Sequence, residues 1–473
     1  MRRVLLIHPL RKNLVSNTSH LGLAMLAGVL RKAGHQVMVL DYVLLNRVLQ
    51  GRPPAVGEMI AEFQPDVVGV SLYTSTIEES RAMVAEVRKL GIPTVVGGPH
   101  ATLNGPELVQ QNVADYIVMG EAELSIENVV RSAQARSVPE LVESPLPDPK
   151  ALPEPDFTAF YRYEWIDVYP LLTSRGCPFG CSFCAVRQIS SRKWRAKDPL
   201  ACVNELRTAI QQLPKLQTVE VSDDCPTANV AHFKSFLKLY VEHEIGLKMR
   251  IANMRADSVD EELVSLVRAA GCDYLCIAAE HGHPEVFASI NKGETLDDIR
   301  RAGTLISKAG LELQMCFIIG LPGDSLDKTK YSIALAKELR PKGIFWNMAH
   351  PFKGTPMREW YEANGTIIDD NVDYTSYVGD GFRLDEPIVE TSDFTREERR
   401  KANYLAVVET GQYRLNANNV YRVLAFGAKY GYLPVAVRAL LAKTFAAALN
   451  IVRPAPRPVE LPAIKSSRSN GES

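Results

Sequence analysis

Cys177, Cys181 and Cys184 place three thiols within eight residues, in a Cys-x3-Cys-x2-Cys spacing on the stretch from Thr173 to Ala185. Cysteines this close, in a chain with no export signal, point to a metal rather than to disulfides. The spacing is too tight for the two separated Cys-x2-Cys knuckles of common zinc sites. Three thiolates on one loop suit three irons of a cubane [4Fe–4S] cluster, whose full protein ligation needs four. The fourth iron would then be open, and an open metal position is where chemistry takes place. Gly176 and Gly180 let such a loop wrap tightly. A zinc site and a ferredoxin-type cluster with a distant fourth cysteine are the other readings of these thiols.

All eight cysteines lie between Cys177 and Cys316, which assigns the thiols to one domain in a reducing compartment, with the cytoplasm as the expected location. A chain of 473 residues exceeds what one hydrophobic core usually serves, so two or three domains are expected. Apolar content of 46% with 23% charged residues is that of a globular protein and excludes a disordered or fibrous one. A net charge of −1 gives no electrostatic case for a nucleic-acid partner. The apolar run after Arg2 and Arg3 is too short for a signal peptide, and no window reaches the ~18 apolar residues of a membrane-spanning helix.

The elements that must position the thiols fall into two α/β halves. Residues 1–140 alternate strand and helix signals, the pattern of a parallel sheet covered on both faces. Strands are expected at residues 4–8, 36–40, 66–71, 94–97 and 116–119, with helices at 21–33, ending at Gly34, and 77–90. Ligands of such sheets bind beyond the carboxyl ends of the strands, here residues 10–20, 71–76, 97–102 and 120–123. Those segments lack a Gly-x-Gly-x-x-Gly fingerprint, which argues against a nicotinamide dinucleotide. Residues 141–165 read as a linker, with Pro145, Pro147, Pro149, Pro153 and Pro155 favouring extended chain. Phe157, Phe160, Tyr161, Tyr163 and Trp165 then pin it to the next domain. Residues 166–360 repeat strand then helix six times, with strands at 169–174, 217–222, 248–253, 274–279, 312–319 and 343–350. Six such units make a partial (β/α)6 barrel, whose active site lies at the carboxyl ends of its strands.

With its three-cysteine loop directly after the first barrel strand, the chain resembles the radical S-adenosylmethionine (SAM) enzymes, which are defined by that spacing. The resemblance implies that the open iron binds the amino and carboxylate groups of SAM and reduces it to a 5′-deoxyadenosyl radical. Further segments resemble the family's SAM contacts. Asp223 and Asp224, in Ser-Asp-Asp-Cys-Pro-Thr, match its amino-group motif with Pro226 in place of an aromatic residue. Cys225 beside them is either an incidental thiol or a fourth cluster ligand. Arg255, after Asn253, would pair with the SAM carboxylate or with a surface acid. Glu280, ahead of His281 and an Asn291-Lys-Gly run, is the expected partner of the ribose hydroxyls, and Gly320 opens the turn expected to pack on adenine. Asn347 and His350, at the end of the sixth strand, are candidates for substrate or proton handling. Cys202, Cys272, Cys276 and Cys316 read as small buried hydrophobes.

The first half is similar to the cobalamin-binding Rossmann-like domains that precede the radical SAM barrel in one branch of the family. The likeness rests on Leu21 to His35, Val95 to Ala101 and Met119 to Glu123. It implies cobalamin contacts at Ser71, Tyr73, Thr74, Gly97, Gly98, Gly120 and Glu121, with Tyr73 towards the lower face of cobalt. The Asp-x-His-x-x-Gly motif, whose histidine ligates cobalt, is absent. His100 is read as a packing or tail-contact residue.

Beyond residue 360 the character changes to a C-terminal, mainly helical region. Asp369, Asp370, Asp373, Asp380 and Asp385 mark a loop-rich passage able to cover the barrel mouth. Thr395 and Glu398 form a capping-box signature opening a helix. Residues 434–452 form an apolar segment interrupted by Arg438 and Lys443, either a packing helix or one lying on a membrane surface. Residues 454–473, rich in Pro and Ser, read as a disordered tail.

Together these features imply a cobalamin-dependent radical SAM enzyme that moves a methyl group from SAM, by way of methylcobalamin, to an unactivated carbon of a small-molecule or lipid-like substrate. An electron donor of the flavodoxin or ferredoxin type would serve it. Chemistry of the anaerobic magnesium-protoporphyrin ester cyclase type, without methyl transfer, and a non-catalytic corrinoid sensor are the rival readings. A methylthiotransferase would need a second cluster in the N-terminal half, where there is no cysteine.

Overall fold

The computed structural model describes residues 1–10, 18–251, 254–369 and 385–452. Asn253, Asp370, Asp373, Asp380 and the tail from residue 454 therefore lie outside the described residues.

Six parallel strands form the N-terminal sheet, in the order Gln36–Asp41, Arg3–His8, Val67–Ser71, Thr94–Gly97, Tyr116–Met119 and Glu140–Glu143. The first strand shows why it is central. Val4 and Leu6 are buried on one face with Leu23, Ala27 and Leu30 of helix Leu21–Lys32. Leu5 and Ile7 are buried on the other with Met59, Ile60, Val84 and Val87. A strand apolar at four consecutive positions, Val4 to Ile7, needs cover on both sides, and helices on both faces supply it. Five of the strands match the sequence pattern. The sixth, Glu140–Glu143, is largely exposed at the edge, so no apolar run announces it.

The proline-rich passage is docked rather than free. Asp156 N donates to Ala24 O at 2.9 Å, Tyr161 N donates to Val39 O at 2.9 Å, and Phe157 packs on Phe160 and on Tyr169 of the barrel. Its aromatic residues thus hold both halves, not the barrel alone.

The barrel contains six parallel strands in sequential order: Val168–Leu171, Thr218–Val221, Lys248–Ile251, Tyr274–Glu280, Glu312–Ile319 and Gly343–Met348. Parallel bridges from Met249 to Cys272 and from Met254 to Ile277 join the third and fourth strands. The first and sixth are not paired, so the barrel is open. Along Glu312–Ile319 burial alternates: Leu313, Met315, Phe317 and Ile319 are buried with Ile299, Ala302 and Ile306 of the neighbouring helix, while Gln314, Cys316 and Ile318 are half-buried between them. Cys276 and Cys316 are half-buried neighbours with their sulfurs 3.5 Å apart, whereas Cys202 and Cys272 are buried as expected.

After the short helix Pro356–Asn364, three more helices follow among the described residues, Arg396–Glu409, Ala417–Tyr430 and Leu433–Val452. Thr395 and Glu398 close the anticipated capping box. The middle helix is an addition to the sequence reading. Arg399, almost fully buried, donates from Nη1 to Gly320 O at 3.2 Å and ties the first of these helices to the end of the fifth barrel strand.

Candidate functional site

The first barrel strand ends at Leu171, earlier than expected, because Thr173 and Ser174 turn towards the second strand's end. Asp223 is buried there and accepts three hydrogen bonds from the root of the cysteine loop: Thr173 N at 2.7 Å, Thr173 Oγ1 at 2.6 Å and Ser174 Oγ at 2.6 Å. Burial pushes its carboxyl up to about 6, against the pull of those donors. Asp224 accepts from Gly176 N at 2.8 Å. Gly176 has φ +79°, and a Cβ there would lie 3.0 Å from Ser191 O, so the turn into Cys177 requires glycine.

Cys177, Cys181 and Cys184 are half-buried. Burial pushes the Cys181 thiol up to about 11 and Cys184 up to about 12, while a hydrogen bond from Cys225 draws Cys177 down. Cys225 is thus buried against the first cysteine of the loop. Among the described residues, no three His, Cys, Asp or Glu side chains gather as they would around one metal ion. A cubane takes its thiolates on separate irons, and the three half-buried sulfurs of one loop are the donor set that fits it.

The remaining barrel residues form a second charged layer. Arg255 is buried and lies 3.6 Å from the centroid of the Phe179 ring within the cysteine loop. Its Nε and Nη2 donate to Asp257 at 3.0 and 2.6 Å, and Nη1 donates to Lys292 O at 2.8 Å. The acid it pairs with, Asp257, is exposed. Glu280 ends the fourth strand with φ +58°, and its carboxylate is 3.1 Å from buried Lys292 Nζ, which also lies 3.0 Å from Glu294. Burial works against the Lys292 charge, and Glu280 and Glu294 more than offset it. The Gly320 carbonyl is taken by Arg399 and by Tyr361.

A cavity of about 530 Å³ connects the two halves. Its floor is the carboxyl edge of the N-terminal sheet, with Ser71, Tyr73, Gly97, Gly98, Gly120 and Glu121 all in its lining, and Ser222, Asp224 and Arg175 bound it on the barrel side. Gly98 has φ +99°, and a Cβ there would stand 3.0 Å from Leu72 O, so backbone is exposed where a bulky planar ligand can approach. Thr74 faces elsewhere. Its Oγ1 is 3.0 Å from His100 Nδ1, and both line a separate polar cavity of about 280 Å³ with His350, Lys353 and Arg358. Asn347 is half-buried on the last strand and lines neither cavity.

Sequence reasoning missed His8, His20 and Asp41. His8 and Asp41 end adjacent strands in register, and His8 Nδ1 lies 3.1 Å from Asp41 Oδ1. Asp41 is fully buried and also accepts from His20 N at 2.9 Å and Val43 N at 3.0 Å. In the neutral ring, hydrogen bonding to this carboxylate puts the His8 proton on Nδ1 and a lone pair on Nε2, and the ring lines the large cavity. His20 has the opposite tautomer, because its Nδ1 accepts from Leu23 N at 3.1 Å and its Nε2 is 2.9 Å from Ser71 Oγ. The Tyr73 ring centroid lies 5.9 Å from that of His8 and 5.7 Å from that of His20. Polar residues ending buried parallel strands were the available signal.

Glu121 lines the cavity, but its carboxylate is committed to two arginines. Arg175 Nη1 donates to it at 2.6 Å and Arg195 Nη1 at 3.0 Å, while Arg175 Nη2 donates to Glu123 at 2.7 Å. Burial works against the Arg175 charge, and Glu123 and Glu121 more than offset it. Arg175 is two residues before Cys177, so this network joins the cysteine loop to the N-terminal sheet.

Comparison with known proteins follows the same division. Residues 7–130 match the B12 binding domain and residues 171–336 match the Radical SAM superfamily. The chain belongs to the cobalamin-binding radical SAM enzymes. Its cofactors are accordingly a [4Fe–4S] cluster, SAM and cobalamin. An uncharacterised methyltransferase of Pyrococcus horikoshii is 26% identical over 411 residues, covering 80% of this chain and 85% of the relative. The anaerobic magnesium-protoporphyrin IX monomethyl ester cyclase of Rubrivivax gelatinosus is 25% identical, covering 78% and 71%. Among solved structures, the radical SAM methyltransferase TsrM of Kitasatospora setae, with cobalamin and a [4Fe–4S] cluster bound, superposes with a TM-score of 0.66 at 19% identity. That match covers 93% of this chain and 99% of TsrM and establishes a shared fold. No described helix of this radical SAM enzyme is long and apolar enough to cross a membrane.

Proposed function

We propose that this radical SAM enzyme is a cobalamin-dependent methyltransferase acting on a carbon of a small-molecule substrate. The observation that carries the reading is the shared cavity, whose floor belongs to the B12-binding sheet and whose opposite wall is formed by Ser222, Asp224 and Arg175 beside the cysteine loop. When bound, the cluster and SAM supply a hydrogen-abstracting radical, and cobalamin supplies a carrier for the methyl group.

The protein's part is to hold, orient and keep dry. Cys177, Cys181 and Cys184 would hold the cluster, on a loop kept in place by Asp223 and by the stacking of Arg255 on Phe179. Asp223 is occupied by that loop, so contact with the SAM ammonium falls to Asp224 and to backbone at the same strand end. Glu280, held by Lys292, would accept from the ribose hydroxyls. Gly97, Gly98 and Gly120 would let the corrin approach the sheet edge, and His8 would present its Nε2 lone pair to it as a cobalt ligand or as an acceptor for a corrin amide. Asn347 and His350, candidates for substrate or proton handling, do not line the large cavity, and this reading assigns them no step. An electron donor of the flavodoxin or ferredoxin type belongs to this reading, since each reductive cleavage of SAM consumes an electron.

Incubation of the reconstituted protein with methyl-deuterated SAM, a low-potential reductant and cell extract, under anaerobic conditions, tests it. Mass spectrometry should find a product carrying the labelled methyl group. Deoxyadenosine formation without label in any product would refute methyl transfer and favour the cyclase type of chemistry.

A further inference from the structure

The C-terminal helix Leu433–Val452 has apolar residues on two opposite faces, and among the described residues only one of them has a partner. Ala436 is buried, and Val435, Ala439 and Leu440 pack against the core with it. Leu433, Val437, Leu441 and Phe445 recur every fourth residue on the opposite side and are 43%, 42%, 66% and 68% exposed. Together with Pro434 and Ala442 they line a shallow groove in which Arg438 is the one charged residue. At 1.5 Å per residue the stripe is about 18 Å long, enough to lie along an interface. Leaving four large apolar side chains in water on one helix face is what a soluble surface avoids and a docking surface requires.

The charge around the stripe identifies the occupant. Residues 411–452 carry Arg414, Arg422, Lys429, Arg438 and Lys443 and contain no Asp or Glu, in a chain whose net charge is −1. That segment therefore carries a net charge of +5, because acidic residues are absent from it rather than because basic ones are dense. Lys429 and Arg438 are exposed, and Lys443 donates to Gly411 O at 2.6 Å while its chain follows the helix. A helix with an apolar stripe, basic flanks and no acidic residue matches the interface of an anionic bilayer, where side chains enter the acyl boundary and cations meet lipid phosphates. No described helix can cross a bilayer, so the helix would lie in the interface plane.

We infer that helix Leu433–Val452 docks this enzyme onto the surface of anionic membranes through Leu433, Val437, Leu441 and Phe445. Flotation of the full-length, cluster-loaded protein tests this, with vesicles of phosphatidylcholine alone and of phosphatidylcholine mixed with phosphatidylglycerol. The wild type should float with the mixed vesicles at least about tenfold more than with the neutral ones, and added salt should remove the difference. Leu441→Glu with Phe445→Glu should lower vesicle binding about tenfold or more, since both lose their apolar contact with lipid. Lys429→Glu with Arg438→Glu should abolish the preference for phosphatidylglycerol while leaving the stripe intact. All four positions are exposed, so iron content and the thermal unfolding midpoint should stay at wild-type values and separate docking from folding. A wild type that floats with neither vesicle overturns the inference. So does a wild-type dimer in sedimentation that Leu441→Glu with Phe445→Glu converts to monomer without affecting flotation, because the stripe would then be covered by a second copy.

Discussion

Replacing Asp223 by alanine separates a loop-holding role from a SAM-binding one. The substitution removes the acceptor of three hydrogen bonds of 2.6 to 2.7 Å, all inside the protein. Each stranded buried donor costs about 1–3 kcal/mol. The two hydroxyls can rotate to other acceptors, so the irreducible part is the Thr173 N–H. Against this stands the cost of keeping the carboxylate buried. Its rise from 3.8 to about 6 corresponds to about 3 kcal/mol at neutral pH, and alanine removes it. The opposing terms nearly cancel, so Asp223→Ala should leave the fold standing, with a midpoint within about 10 °C of wild type. The loop root, however, loses its anchor. Outer partners of metal ligands typically contribute 10–100-fold in metal affinity, so iron retention under chelator challenge should fall about tenfold or more. Asp223→Asn, which keeps one acceptor oxygen, should fall between. The assay is iron and sulfide content after anaerobic reconstitution, then its decay in the presence of a chelator. Wild-type iron retention in Asp223→Ala would refute the loop-holding argument. Normal iron with a weakened SAM-induced shift of the cluster EPR spectrum would instead assign Asp223 to the cofactor.

Three further outcomes follow from the N-terminal half. His8→Ala should remove nitrogen coupling from the EPR spectrum of the bound Co(II) corrinoid; absence of that coupling in the wild type would take His8 off the cobalt. Burial holds the His20 imidazole down to about 3, so the native state stays neutral while the unfolded state protonates below 6.5. Stability should therefore fall as pH drops from 6.5 towards 3, by up to about 1.4 kcal/mol per pH unit from this group, and His20→Gln should flatten that slope in denaturant titrations at pH 6.5 and 5.5. An unchanged slope would show that His20 is solvated. Glu123→Gln weakens a 2.7 Å bond to Arg175 without changing shape, so corrinoid uptake and cluster retention should both drop; loss of one alone would contradict a shared network.

How much of this was legible before the structure depends on whether the signal was local. The three cysteines, five of six N-terminal strands and the Thr395 capping box are written in consecutive residues, by spacing or by buried runs. The edge strand Glu140–Glu143 buries little, and hydrophobicity cannot mark it. Side-chain direction was beyond reach for a different reason. Thr74 and Tyr73 are neighbours in sequence, yet one faces His100 and the polar cavity while the other faces His8 and His20. The pairing of Arg175 with Glu121 and Glu123 spans more than fifty residues of chain and exists only once both halves have folded.

That same pairing gives the two cofactor sites one shared structural member. Arg175 is covalently part of the cysteine loop, and its two carboxylate partners belong to the segment that edges the B12-binding floor. If loading the cluster fixes the loop and thereby the arginine, it must strengthen corrinoid binding by some factor, and by linkage the corrinoid must strengthen cluster retention by the same factor. Loss of the iron–sulfur centre would then also weaken corrinoid binding, so damage at the cluster would be felt at the corrinoid as well.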